Sequence, residues 1–232
     1  RLGVPLEQAE AFLQEANQID GIEIEGLYSH FATADEGDLS YANDQLNKFN
    51  DVLAIAEKLE INPTFIHCSN SGAILNLPES RFNMVRVGML LYGAFPSDEV
   101  PQDLPIKPVM TFTAPVVEIR DVKAGTPISY GGVYTTEKDT RIAVVQAGFA
   151  DGVPRPWYID GFVKFKDQNL KITGRICMDQ LMIDVGSADI QYGDEVLIFG
   201  SNEHGTIDVN EIAKTINSTS YVLVTAIGIR PK

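Results

Sequence analysis

Residues 96–108 read PSDEVPQDLPIKP, and VMTFTAPVVEI follows at 109–119. Proline removes a backbone donor and breaks both helices and ladders, so the first stretch predicts a boundary and the second a strand. The boundary is placed between Leu104 and Pro108, which divides the chain into 1–106 and 107–232. The patterns on its two sides differ in kind. Upstream, Leu6, Ala9, Phe12, Leu13 and Ala16 recur at helical spacing behind Pro5. A strand-like GIEIEGLYSHF (21–31) comes next, then a helix from about Tyr41 to Leu59 with Leu46, Phe49, Leu53 and Ala56 on one stripe. A short strand TFIHCS (64–69), a helix opening at Ser71 and Gly72, and a further strand NMVRVG (83–88) complete the first part. Alternating strand and helix predict a parallel α/β arrangement.

Downstream the period changes to two. RIAVVQAGF, GFVKFK, LKITGRICM, LMIDVG and DEVLIFG are separated by Gly and Asp turns, which predicts a mainly β unit. One helix interrupts it, with Asp208 and Glu211 at capping-box spacing, and a final strand is expected from Tyr221. The fold class is therefore α/β followed by β.

Composition limits the function. Eighteen basic against 32 acidic residues give a net charge of −14, which opposes attraction to a phosphate backbone, so no nucleic-acid partner is expected. No apolar run of about 18 residues is present, so no membrane partner is expected and the cytoplasm is the expected location. Cys68 and Cys177 lie far apart, and His30, His67 and His204 lack metal-ligand spacing, so neither a disulfide framework nor a metal is expected. The chain opens on Arg1 rather than Met, and is read as part of a longer protein.

Four short segments place polar groups just past strand ends. His30 follows a strand in YSHFATADEGD, as a loop histidine or a functional one. Ser71 and Gly72 open a helix in HCSNSG, as a plain cap or as an anion site. Arg86 precedes Gly88 and Met89 in MVRVGMLLYG, as an ion-pair partner or part of a phosphate site. In the β half, Tyr130 sits in ISYGGVY and Met178 with Asp179 in GRICMDQ, either as ordinary surface and core residues or as site residues.

No single segment is decisive, but the series RLGVP, SHFATADE, HCSNSG, VRVGMLLYG, ISYGGVY, GFADGVPR and GRICMDQLMIDVG resembles, in content and order, the alanine racemases. These enzymes use pyridoxal 5'-phosphate (PLP). The resemblance runs the length of the chain. It implies the later part of a (β/α)8 barrel followed by a mainly β domain, in a homodimer whose active sites are shared between the barrel of one subunit and the β domain of the other. It implies interconversion of L- and D-alanine, supplying D-alanine for peptidoglycan. His30 resembles the histidine flanking the cofactor ring. Ser71, Gly88 and Met89 resemble its phosphate-binding groups, the last two through backbone amides, and Tyr221 resembles a tyrosine that reaches the phosphate. Arg86 matches the arginine that meets the pyridine nitrogen, and Arg1 one that touches the cofactor's phenolic oxygen and the substrate carboxylate. Tyr130 matches the catalytic tyrosine from the partner subunit, while the Met178 amide meets the substrate carboxylate.

Elementary chemistry agrees with these roles. A guanidinium does not give up its proton, so Arg86 would leave the ring nitrogen unprotonated. Racemisation needs a base on each face of Cα, and an unperturbed tyrosine costs about 4 kcal/mol to ionise at pH 7. Two departures stand out. The family's other base is a lysine that also forms the Schiff base with PLP, in a KADAYGHG-like segment that this sequence lacks. The chain alone is therefore expected to be inactive. Phe149 also stands where many relatives carry Tyr. A serine or broad-specificity racemase on the same scaffold is an alternative, as is a noncatalytic PLP-binding barrel protein. The second alternative predicts no β domain.

Overall fold

A computed structural model describes residues 2–228. The chain forms two compact units, one of residues 1–91 and 95–105 and the other of 92–94 and 106–232.

In the first unit a short 3-10 turn, Leu6–Gln8, leads into α1 (Ala9–Asn17). Strands β1 (Gly26–Tyr28) and β2 (Phe65–His67) lie parallel, joined across α2 (Ser40–Lys58). Helix α2 forms because its apolar residues fall on one stripe. Ala42, Leu46, Phe49 and Ala56 are buried and Leu53 is partly so, in two small cores with Phe31, Ala73, Leu77, Leu13 and Ile61. Helix α3 (Ser71–Asn76) starts where the Asn70 carboxamide accepts from Ala73 N–H at 3.0 Å.

NMVRVG does not form a strand. The Asn83 side chain accepts from Ile66 N–H at 2.8 Å and donates to Thr64 C=O at 2.9 Å. A side chain thus takes the bonds beside β2 that a neighbouring backbone would use, and Arg86 N–H regains contact only at Ser69 C=O, 3.0 Å away. The long strand expected over GIEIEGLYSHF is likewise shortened to three residues, because Tyr28 is the last to pair, with His67 opposite it.

In the second unit, β3 (Phe112–Val122) opens the chain of strands. There follow a small hairpin of β4 (Pro127–Ile128) and β5 (Tyr134–Thr135), then β6 (Thr140–Val145), β7 (Phe162–Phe165), β8 (Gln168–Lys171), β9 (Leu181–Asp184), β10 (Glu195–Asn202) and β11 (Gly205–Ile207). The main sheet runs β8-β7-β10-β3-β6-β9 with β11 on β10, all antiparallel. The alternating burial of Phe112, Ala114 and Val116 puts these residues into one core with Val145, Trp157, Ile183 and Ile198. Most of LKITGRICM lies outside the ladder: only Leu170 and Lys171 belong to β8, and Ile172 makes an isolated bridge to Ile183.

Helix α4 (Val209–Thr215) is capped by Asp208, whose carboxylate accepts from Asn210 N–H at 2.8 Å. The final strand expected at Tyr221 is instead helix α5 (Ser220–Ala226). Tyr221, Val222 and Val224 favour a strand intrinsically, but of residues 221–224 only Leu223 joins the core. Burying one residue per turn against the sheet suits a helix, so tertiary packing overrides local preference.

Candidate active site

The register Tyr28↔His67 sets the ends of β1 and β2 level, so that Ser29, His30, His67 and Cys68 meet at one edge. Arg86 fills the space among them. Its Nη1 donates to His67 Nδ1 at 2.6 Å and to His67 C=O at 3.2 Å. Its Nη2 donates to Ser29 C=O at 2.8 Å, lies 3.0 Å from His30 Nδ1 and reaches Cys68 C=O at 3.5 Å. The guanidinium also lies over the Tyr28 ring at 5.6 Å, and Tyr28 is stacked on His67 with centroids 5.3 Å apart. Three carbonyl oxygens and two imidazoles therefore hold the two terminal nitrogens of the fork. Among the described residues, none accepts a hydrogen bond from the Arg86 Nε–H.

A few ångströms along the chain, Gly88 N–H donates to Ser71 Oγ at 2.9 Å. The Ser71 hydroxyl proton then remains to donate outward, next to Gly88 and the buried Met89. This pairing brings SNSG and RVGM together. Behind it the strand end is fixed: Ser69 Oγ meets Ser80 Oγ at 2.6 Å and Cys68 Sγ donates to Ser80 C=O at 3.4 Å. Burial pushes the Cys68 thiol up to about 11, against the pull of Arg86, so it stays protonated.

His67 is the residue of this edge to which the sequence gave no role. Burial first, and Arg86 second, hold its pKa below the ordinary histidine value. The signal was its pairing position, one step before Cys68 and level with Tyr28, which sequence spacing alone does not reveal. Its depressed pKa has a consequence for stability. The neutral ring is favoured in the folded protein, whereas the unfolded chain takes up its proton near pH 6.5. The stabilisation is complete above that value and is lost as pH falls toward the folded pKa. The urea midpoint of the wild type is expected to drop between about pH 7 and about pH 5 more than that of His67→Asn. Equal drops would remove His67 from the acid limb.

The second unit carries the other candidates. Tyr130 opens a 3-10 turn, Tyr130–Gly132, and is 68 % exposed. Ser129 precedes it with φ of 64°, held there by its hydroxyl donating to Arg175 C=O at 2.6 Å. The Arg175 guanidinium lies against Gly131, which adopts φ of 75°. Met178 is exposed, its carbonyl accepting from Ala150 N–H at 3.0 Å, while Cys177 C=O accepts from Phe149 N–H at 3.0 Å. A side chain at Gly148 would collide with the Cys177 and Met178 carbonyls, so GFADG is bound to CMD by close backbone approach. Phe149 is itself partly exposed beside this contact. Tyr221 sits in the first turn of α5, exposed, with its carbonyl accepting from Thr225 Oγ1 at 2.6 Å. Arg1 lies outside the described residues. A cavity of about 490 Å³ in this unit is lined by Met110–Pro115, Gln146, Asp151, Asp179 and Ile227, and not by Tyr130 or Met178.

Both units have known relatives. Residues 1–96 match the family described as alanine racemase, N-terminal domain, and residues 109–232 match alanine racemase, C-terminal domain. The chain belongs to the alanine racemase family. Alanine racemase of Desulforamulus reducens is 40% identical over 233 residues, which is 99% of this chain and 62% of that protein. The crystal structure of alanine racemase from D-cycloserine producing Streptomyces lavendulae superposes with a TM-score of 0.94 at 38% identity, covering 100% of this chain and 62% of that one. That of Bartonella henselae alanine racemase, with covalently bound pyridoxal phosphate, gives 0.87 at 29% identity over 100% of this chain and 62% of that one. The chain spans about three-fifths of the length of the relatives it matches. Its fold is that of alanine racemases, a barrel portion followed by a C-terminal sheet domain. The β half excludes the noncatalytic barrel protein, which predicts none.

Proposed function

We propose that this chain is part of a PLP-dependent alanine racemase that interconverts L- and D-alanine by proton transfer at Cα, as a cytoplasmic homodimer supplying D-alanine for peptidoglycan. Among the described residues no helix is long and apolar enough to cross a membrane, and no cluster of metal-ligating side chains is present. The observation that carries the reading is the Arg86 cluster in a chain that matches alanine racemases along its length. A guanidinium with both terminal nitrogens bound inward has its Nε–H left to donate, and one N–H donor is what a pyridine nitrogen accepts.

The remaining donors suit the cofactor as well. The Ser71 hydroxyl and the Met89 amide are phosphate donors, whereas the Gly88 amide, expected to be a third, donates instead to Ser71 Oγ at 2.9 Å. When bound, PLP supplies the electron sink that weakens the Cα–H bond. The chain's own residues do the rest. With PLP bound, Arg86 would hold the ring nitrogen without offering it a proton, His30 would flank the ring, and Tyr221 would reach the phosphate. The Met178 amide and Arg1 fix the substrate carboxylate, which leaves Cα–H as the bond in position to break. Tyr130, supplied by the 107–232 domain to the 1–106 barrel of the partner subunit, moves a proton at one face of Cα. A lysine outside these 232 residues serves the other face and holds the cofactor covalently, and the chain without it is inactive.

Borohydride reduction of the complete protein with PLP, followed by peptide mapping, tests this. Label is expected on a lysine outside the chain. Label on any lysine from Lys48 to Lys232 would sink the assignment.

A further inference from the structure

His67 has no part in the roles above, yet its ring touches the residue on which they depend. A guanidinium only donates hydrogen bonds and keeps its proton throughout the range in which proteins stay folded. The His67 Nδ1 that receives Arg86 Nη1 at 2.6 Å is therefore a lone pair, and the ring proton sits on Nε2. The same holds for His30 Nδ1, 3.0 Å from Nη2. Tyr28, stacked on His67 with an interplanar angle of 8°, keeps the imidazole from turning. We propose that His67 is a positioning residue: as a neutral imidazole locked by Tyr28, it clamps Arg86 Nη1 and so aims the Arg86 Nε–H at the cofactor's ring nitrogen.

The proposal rests on the role given to Arg86 above. Without the clamp, the fork could turn about its Cδ–Nε bond and present a different nitrogen. Protonation of His67 would set one N–H against another and open the contact. The groups that bear on this titration are Arg86 directly and, across Arg86, His30 and Cys68, with the Tyr28 ring on the stacked face. Burial and Arg86 both favour the neutral ring.

Nitrogen NMR of the Arg86 guanidinium in the complete protein reads the clamp without cofactor, assigned by its disappearance in Arg86→Lys. In the wild type at neutral pH, slow rotation about the Nε–Cζ bond should give separate Nη1 and Nη2 signals that merge as pH falls through the depressed His67 pKa. His67→Asn, whose Oδ1 can replace Nδ1, should keep them separate at both pH values. His67→Phe, which retains a ring on Tyr28 but no acceptor, should lose them at both. With PLP bound, His67→Phe should lower kcat about tenfold, leave KM within about twofold and raise the transaminated fraction per turnover, and His67→Asn should recover to within about threefold. Merged signals in the neutral wild type would overturn the clamp, and that measurement needs no variant to fold. An unchanged kcat and product ratio in PLP-loaded His67→Phe would overturn the positioning role alone. Separate signals in a complete protein that binds no PLP would instead overturn the role given to Arg86, and the positioning with it.

Discussion

Replacing Arg86 by Glu in the complete protein is expected to slow racemisation by about 10³-fold or more, equivalent to ~4 kcal/mol of lost transition-state stabilisation. The site explains why the loss should be so large. Arg86 faces the carbonyl oxygens of Ser29, His67 and Cys68, and a carboxylate put there would meet only lone pairs on that side. Such surroundings disfavour the ionised form, so Glu at this position would stay protonated and hold a transferable proton where the guanidinium has none to give. Proton return to Cα should then compete poorly with transamination, and the transaminated product should rise as racemisation falls. Cofactor retention is the control. The donors proposed for the phosphate, at Ser71 and Met89, are not bonded to the Arg86 side chain, so equilibrium dialysis should find PLP still bound. Racemisation within about threefold of wild type would remove Arg86 from the mechanism.

The same residues show how far a sequence can be read. The boundary at PSDEVPQDLPIKP, the stripe on α2 and the alternation of β3 rest on proline chemistry and on periods of 3.6 and 2, which are local properties. NMVRVG has the composition of a strand and is not one, because the competitor is the side chain of Asn83, which no hydrophobic pattern records. SYVLV is rich in residues that favour a strand and forms α5, which buries Ser220 and, one turn on, Leu223. In the site, Ser71, Gly88 and Arg86 could be named from segments alone, whereas the bond from Gly88 to Ser71 and the grip of His67 on Arg86 could not. Those contacts join residues 17 and 19 positions apart through the pairing of β1 with β2 and the return of the chain at Ser69.

Tyr130→Phe should suppress proton exchange at Cα from one enantiomer, the L form, far more than from the other. The hydroxyl is the only group removed. Its loss leaves the turn that Ser129 and Gly131 set against Arg175, so folding and dimer formation should change little. Deleting one general base costs about 3 to 4 kcal/mol of transition-state stabilisation, so turnover should fall by some 10²–10³-fold. A lysine acting on the opposite face would be untouched, which is why the two exchange rates should separate. Solvent deuterium incorporation into each enantiomer measures them directly. Assignment in trans is tested by mixing inactive Tyr130→Phe subunits with subunits inactive through loss of the lysine. If the tyrosine and the lysine of one site come from different subunits, each heterodimer regains one intact site and loses both bases from the other, so activity should reappear on subunit exchange. Equal exchange defects for both enantiomers would deny Tyr130 its single face. No recovery in verified heterodimers would place it in the same subunit as the lysine, because then neither site of the mixed dimer could hold both bases.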